Sequence, residues 1–226
     1  MQSINTENWE KIKQKKWFKF FKWFNIVLMI FAFIFLCYKL QAQERYELQT
    51  NKLLVEQFVK ELHIGIGFFD DGKRGKHRAE LTDKINRAVG NPLGSPWCAA
   101  LQYYCFLEAQ NHLFKNFAVK YSIPISRTGN AQGIFNDAKQ RGIKTDYTNF
   151  KIGDLLVWKL GNTNSGHIEA IVETGRNGNV VCVGGNTSSG VQGNQRNGAG
   201  WFLKKRNIYH PLGRLQVKGI VGFDIS

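Results

Sequence analysis

The chain has 226 residues, of which 43% are hydrophobic, and this is enough for one domain of ordinary size with a sizeable core plus an appendage. Its formal net charge of +14 favours anionic partners, namely nucleic acid, a phospholipid surface or acidic wall polymers, although such a charge can also serve solubility alone. The four cysteines lack metal-ligand spacing and do not suit a disulfide framework, which excludes a cysteine-based metal site and a disulfide-rich scaffold.

The first 40 residues predict a membrane segment. Lysines and aromatic residues alternate in 9–23, and the run Phe24–Tyr38 is apolar except for Asn25. Extended to Phe20–Leu40, this run reaches the roughly 20 residues that a spanning helix needs. The sequence therefore indicates a helix long enough to cross a bilayer.

The order of charge and apolarity predicts how this helix is oriented. Because the lysines precede the apolar run, we expect a basic cytoplasmic segment at 1–23 and a transmembrane signal anchor at 24–40. The anchor would cross the cytoplasmic (inner) membrane once and leave the rest of the chain outside, in the periplasm or at the cell surface. A cleaved signal peptide is one alternative, with a poor cleavage site at Leu40–Ala42. A basic amphipathic surface helix is another, but the apolar run is hydrophobic on all sides.

Residues 41–78 predict a helical stalk followed by a loop. Apolar residues recur at helical spacing within 44–62, a pattern that also suits the first helix of a domain. Four glycines and mixed charges in His63–Arg78 are typical of a loop. The sequence accordingly places a separate domain at 79–226, with the boundary between the anchor and the exported part between residues 41 and 50.

The domain itself predicts an α+β fold. Residues 97–112 form the strongest candidate helix, which Pro96 introduces, and a second helix is expected near Ala131–Gln140. Short strands separated by Gly/Asn turns follow. They are expected at 154–160, 168–173, 180–183, 201–205 and 215–223. This order predicts N-terminal helices packed on a C-terminal antiparallel β-sheet.

Three residues in this pattern predict thiol chemistry. A cysteine attacks a carbonyl as thiolate, and a helix start such as that of Cys98 favours the negative charge. His167 begins a predicted strand beside a glycine, where its imidazole can face a cleft and act as a base. Asn186 ends the next strand, and a hairpin would bring it beside His167 to orient the ring. We therefore expect Cys98, His167 and Asn186 to be catalytic.

Four segments carry a resemblance to a known family. They are SPWCAA around Cys98, GDLLVW at Gly153–Trp158, SGHIEAIVE at Ser165–Glu173 and VGGNTSSG at Val183–Gly190. In combination these segments resemble the CHAP family of cysteine- and histidine-dependent amidohydrolases and peptidases. The resemblance implies a papain-like fold over about 80–224. It also implies the roles of nucleophile, base and orienting residue for the same three side chains.

The resemblance implies a substrate as well. CHAP domains usually cleave peptidoglycan, either as N-acetylmuramoyl-L-alanine amidases or as endopeptidases. The related NlpC/P60 family is a near alternative, and Trp97 and Asn186 favour CHAP. Glu169 departs from the family pattern, and because it shares the face of His167 it would touch substrate or tune the imidazole. We expect Trp97 and Glu169 to bind substrate.

Further residues leave two interpretations open. Trp201, Tyr209 and the run 204–206 would form a basic rim over the cleft or simply a solvated strand end. No carboxylate pair, phosphate loop or metal cluster stands out in the sequence, so we expect neither a cofactor nor a metal.

The sequence thus predicts a membrane-anchored peptidoglycan hydrolase. The alternative is a non-catalytic wall-binding or scaffold protein of a secretion or conjugation system. A specific nucleic-acid partner is not expected, because no binding motif accompanies the positive charge and the charge is spread rather than striped.

Overall fold

The computed structural model describes residues 6–70, 73–188 and 199–223. The predicted basic segment 1–23 and the motif at Val183–Gly190 therefore each extend beyond the described residues. The chain divides into two compact units, Met1–Glu47 and Leu48–Ser226. The first helix, α1 (Thr6–Ile64), contributes to both units.

The first unit contains the predicted apolar helix. Within α1, the stretch Phe20–Gln41 has 22 residues and is long and apolar enough to cross a membrane. At 1.5 Å per residue it extends over about 33 Å, close to the thickness of the hydrocarbon core of a bilayer. Its large apolar side chains are exposed, from Phe20 at 59% to Leu40 at 60%. Such length and apolarity near an N-terminus are typical of a membrane anchor or of a signal sequence.

The second unit confirms the α+β prediction. Its remaining helices are α2 (Glu80–Val89), α3 (Cys98–Phe117) and α4 (Ala131–Gln140). Its strands are β1 (Leu155–Lys159), β2 (Gly166–Thr174), β3 (Asn179–Thr187), β4 (Gly200–Asn207) and β5 (Gln216–Val221). These strands form one antiparallel sheet in the order β4-β3-β2-β1-β5, and a 3₁₀ turn at Arg176–Gly178 joins β2 to β3.

The two faces of the sheet have different surroundings. Side chains alternate along each strand, so Ile168 and Ala170 of β2 join the main core with the helices. Ile171 belongs to a smaller core on the other face, together with Trp158 and Cys182. His167 and Glu169 have the parity of Ile171 and therefore lie on the face opposite the helices.

The packed unit begins earlier than the sequence indicates. The catalytic domain was expected at 79–226, after a stalk and loop at 41–78, whereas the compact unit starts at Leu48. The last turns of α1 bury Leu54, Phe58 and Leu62, each at most 1% exposed. The Phe58 ring stacks on Phe106 of α3 with 3.8 Å between ring centroids. The end of the predicted stalk is therefore the first helix of the domain.

Candidate active site

Cys98 is the first residue of α3, directly after Trp97 at the helix N-cap. Its side chain is buried in a core position and retains 6% exposure. Burial alone raises the pKa of the Cys98 thiol. The hydrogen bond and charge of His167, together with the backbone amides of Ala99 and Ile168, outweigh burial and leave this pKa below its usual value. The surroundings therefore favour the thiolate.

A gap in strand pairing explains why the Ile168 amide reaches Cys98. Ile171 exchanges backbone hydrogen bonds with Gly153 and Asp154, on the β1 side of β2. Since Ile168 is three residues away, its amide points to the opposite side, toward β3. Pairing between β2 and β3 begins only at Ala170 opposite Val183, so the ladder does not use the Ile168 amide. The amide is thus left to donate to sulfur.

His167 lies between the thiol and a carboxylate. It hydrogen-bonds to Cys98, and its Nε2 lies 2.9 Å from Oε1 of Glu169. Burial lowers the pKa of the imidazole, but the hydrogen bonds and negative charges of Cys98 and Glu169 raise it to about 10. A lowered thiol pKa beside a raised imidazole pKa favours a thiolate–imidazolium pair.

Glu169 is fully buried and shares its charge with two cations. Arg206 of β4 donates from Nε to Oε2 at 2.7 Å and from a terminal nitrogen to Oε1 at 2.6 Å. Burial raises the pKa of this carboxyl group, and the hydrogen bonds from Arg206 and His167 lower it to about 2. The bidentate clamp therefore keeps Glu169 ionised and fixes the oxygen that faces the imidazole.

A glycine on the neighbouring strand makes room for this carboxylate. The pairing of Ala170 with Val183 places Glu169 opposite Gly184. A Cβ atom at Gly184 would lie 2.7 Å from Cγ of Glu169, which is closer than real contacts allow. The buried ion pair therefore depends on the absence of a side chain at this position of β3.

Asn186 was predicted to orient His167 through a hydrogen bond, but in the structure Glu169 forms the hydrogen bond to the imidazole. Asn186 has a left-handed backbone with φ of 55°, at the bulge where β3 leaves its register with β4. Its buried Oδ1 has no hydrogen-bond partner in the described part of the chain. It borders the same cleft as His167 and thus stays near the site.

The two residues predicted to bind substrate are buried. Trp97 and Glu169 are both 0% exposed. The Trp97 ring packs edge-on against Phe68 and lies so close to Gly185 that a Cβ there would be 2.5 Å from the indole. Neither side chain presents surface to a substrate in this conformation. Glu169 instead contacts the imidazole, which is the second role that the sequence left open for it.

A cleft of about 570 Å³ borders His167. Its walls come from the loops before α2 and α3, from the start of β2 and the end of β3, from β4 and from the turn before β5. They are Lys76, His77, Pro96, Gly166, Asn186, Thr187, Ser188, Lys204, Arg206, Leu212, Gly213 and Leu215.

The basic residues 204–206 of the predicted rim lie on both faces of β4. Lys204 and Arg206 border the cleft, whereas Lys205 has the opposite parity and is exposed. Trp201 is buried and donates from its indole to the Leu62 carbonyl at 2.9 Å. Tyr209 is 61% exposed and does not border the cleft.

A helix-borne thiol, a strand-borne imidazole and a buried carboxylate form the arrangement that thiol-dependent hydrolases use. The CHAP domain family matches residues 90–186, which include Cys98, His167, Glu169 and Asn186. The match at residues 90–186 confirms the resemblance to the CHAP family that the sequence indicated. This family indicates a hydrolase of the amidase or peptidase type that acts on peptidoglycan. A comparison with curated proteins found no match.

Proposed function

We propose that this protein is a membrane-anchored cysteine hydrolase that cleaves an amide bond of peptidoglycan, as an N-acetylmuramoyl-L-alanine amidase or as an endopeptidase. The observation that carries the proposal is the hydrogen-bonded series Cys98–His167–Glu169, in which Nε2 of His167 lies 2.9 Å from the carboxylate. Its members come from α3 and β2, so their meeting is a product of the fold.

The acylation step follows from these positions. The Cys98 thiolate attacks the carbonyl carbon of the scissile amide and forms a C–S bond. The carbonyl oxygen becomes an oxyanion, and the free backbone amide of Cys98 in the first turn of α3 is suited to stabilise it. The His167 imidazolium then donates its proton to the leaving nitrogen, and the C–N bond breaks to leave a thioester.

The second step restores the enzyme. Neutral His167 takes a proton from water, and the resulting hydroxide attacks the thioester carbon. The C–S bond breaks, the acid product leaves, and the proton on His167 pairs again with the thiolate. Throughout, Glu169 holds the imidazole ring in one orientation and stabilises its positive charge, while Arg206 holds Glu169.

Asn186 belongs to the proposed site in a different role from the one its sequence position suggests. It borders the cleft, and its side-chain oxygen has no hydrogen-bond partner among the described residues. We assign it to the substrate peptide, as an acceptor for an N–H group, rather than to the imidazole.

The proposed location is the cytoplasmic membrane, with the N-terminus inside and the catalytic domain outside. Its support is the lysine-rich segment before the apolar helix Phe20–Gln41. Intact cells treated with protease would lose the domain after Leu48 if this orientation holds. The mass of the mature protein distinguishes an anchor from a signal peptide, since cleavage at Leu40–Ala42 would remove the segment before it. Protection of the domain from added protease would contradict the proposed orientation.

The function is tested by a peptidoglycan zymogram with the full-length protein. Cys98→Ala is expected to abolish clearing, and Cys105→Ala is the matched control because Cys105 is buried on the same helix outside the site. Clearing by Cys98→Ala equal to that of the native protein would refute the thiol mechanism. Thiol-independent binding to sacculi without any cleavage by the native protein would favour the scaffold alternative.

A further inference from the structure

The charges around His167 balance except at two lysines. The Cys98 thiolate offsets the His167 imidazolium, and the Glu169 carboxylate offsets the Arg206 guanidinium. These four groups sum to zero. Lys76 and Lys204 also border the cleft, and they add two positive charges that the catalytic groups do not use.

No carboxylate in the described part of the chain forms an ion pair with these lysines. No Asp or Glu side chain borders the cleft, and neither Lys76 nor Lys204 forms an ion pair there. Glu169 is the nearest carboxylate that affects Lys204, and Arg206 and His167 already occupy its oxygens. Burial, followed by the charge of Arg206, lowers the pKa of Lys204, as expected for an ammonium that lacks a close anion.

The cleft also has an apolar side, next to polar residues such as Asn186, Thr187 and Ser188. Leu212 and Leu215 border it, and their backbones exchange two hydrogen bonds, of 2.8 and 3.0 Å, across a tight turn. A cleft that combines cations, polar side chains and two leucines suits a short peptide with an acidic group and small aliphatic side chains. It offers no aromatic platform for a sugar ring or a base among its lining residues.

We infer that this cleft selects a free carboxylate of the peptidoglycan stem peptide, which Lys204 and Lys76 bind next to the scissile amide. The inference rests on the proposed function. It names the substrate itself rather than a separate anionic wall polymer, because the same cleft borders the catalytic imidazole. Stem peptides whose carboxylates are masked as carboxamides would therefore be poor substrates.

The test uses pairs of soluble stem-peptide substrates that differ by one group. In the first pair the α-carboxyl group of the D-glutamyl residue is free or amidated, and in the second pair the C-terminal carboxyl group is free or amidated. The detergent-solubilised full-length protein is expected to prefer the free acid about tenfold in kcat/KM, chiefly through KM, in at least one pair.

Two variants and a control connect the preference to the cleft. Lys204→Gln and Lys76→Gln are each expected to reduce the preference to about twofold. Lys205→Gln removes the same charge from the opposite face of β4 and is expected to retain the full preference. Equal rates within both pairs for the native protein, or a preference that both cleft variants retain, would overturn the inference.

Binding distinguishes this failure from failure of the proposed function. Cys98→Ala is used to measure affinity for the same peptides without turnover, and it is expected to bind the preferred free acid about tenfold more tightly than its amide. Cleavage of both members at equal rates refutes only the carboxylate selection. If no peptide is cleaved by the native protein but Cys98→Ala still discriminates, the proposed catalysis fails and the carboxylate site stands.

Discussion

Two parts of α3 carry buried cysteines with opposite acid–base behaviour. Cys98 in the first turn has a lowered pKa, whereas the pKa of Cys105, two turns later, is raised well above its usual value. Burial raises both pKa values. At Cys105 the charges of Glu61 and Glu108 add to burial, while at Cys98 an imidazolium and two amides overcome it. Burial therefore does not distinguish the cysteine with the lowered pKa from the one with the raised pKa, and the surrounding charges and hydrogen-bond donors do.

Removing the imidazole of His167 is expected to have the largest effect on the difference between Cys98 and Cys105. In His167→Ala, burial at Cys98 is no longer opposed by a cation, so the pKa of its thiol rises toward that of Cys105. We expect the rate of hydrolysis to fall about 10³- to 10⁴-fold. Alkylation by iodoacetamide, followed residue by residue by mass spectrometry, would show Cys98 become nearly as slow as Cys105. Unchanged alkylation of Cys98 at neutral pH would contradict the thiolate–imidazolium pair.

The next effect concerns the carboxylate that raises the pKa of His167. Glu169→Gln keeps the shape of the side chain but removes a charge that favours the imidazolium. We expect kcat/KM to fall about 100-fold. The remaining imidazolium loses its proton at a lower pH, so the alkaline limit of activity moves to lower pH. A profile that keeps its alkaline limit would show that Glu169 does not act through His167.

The native protein provides the reference profile for that measurement. Activity requires the Cys98 thiolate and the protonated His167, so it should rise as pH increases through the lowered pKa of Cys98. It should reach its plateau at a lower pH than an unassisted thiol would allow, and fall as His167 loses its proton at about pH 10. A rise only above pH 9, the usual range of an unassisted thiol, would mean that Cys98 behaves like Cys105.

A smaller effect is expected from filling the space opposite Glu169. Gly184→Ala would place a Cβ atom 2.7 Å from Cγ of Glu169 and displace the carboxylate from the imidazole. We expect a loss of about tenfold in kcat with KM little changed. Gly133→Ala is the control, because the nearest atom to its added Cβ is Cγ2 of Thr128 at 3.4 Å, an ordinary contact distance. Full activity in Gly184→Ala would show that the contact is easily relieved.

The smallest effect is expected at Asn186. Asn186→Gly keeps the left-handed backbone available and removes only the amide. If the amide binds substrate, KM should rise about threefold to fivefold with little change in the pH profile. A shift of the alkaline limit like that expected for Glu169→Gln would instead assign Asn186 to the imidazole, as its position in the sequence first indicated.

Local signals in the sequence were sufficient for most of the elements. Alternating apolar residues between Gly/Asn turns predicted all five strands, and Pro96 predicted the start of α3. The helix α2 was missed because Ala79 precedes it in place of a capping Ser, Thr, Asp or Asn. The start of α2 is supported instead by Thr82, whose hydroxyl accepts a hydrogen bond from the Ala79 amide at 2.7 Å. Here the side chain within the helix binds the amide before it, which is the reverse of an ordinary N-cap and is harder to see in a sequence.

The sequence by itself determined the apolar helix, the α+β order of elements and the choice of Cys98 and His167 as candidate residues, because each depends on periodicity, a helix start or a short motif. The fold brings Cys98 and His167 together. Tertiary structure decided which residue holds the imidazole. In the sequence, the only sign of this role for Glu169 is that it lies two residues after His167 and therefore on the same face of the strand. Its role requires Arg206 from β4 and the space above Gly184 on β3, and only strand pairing brings these together. Asn186 was the expected partner because chain order indicates where a strand ends, whereas the register of the sheet decides which side chains touch.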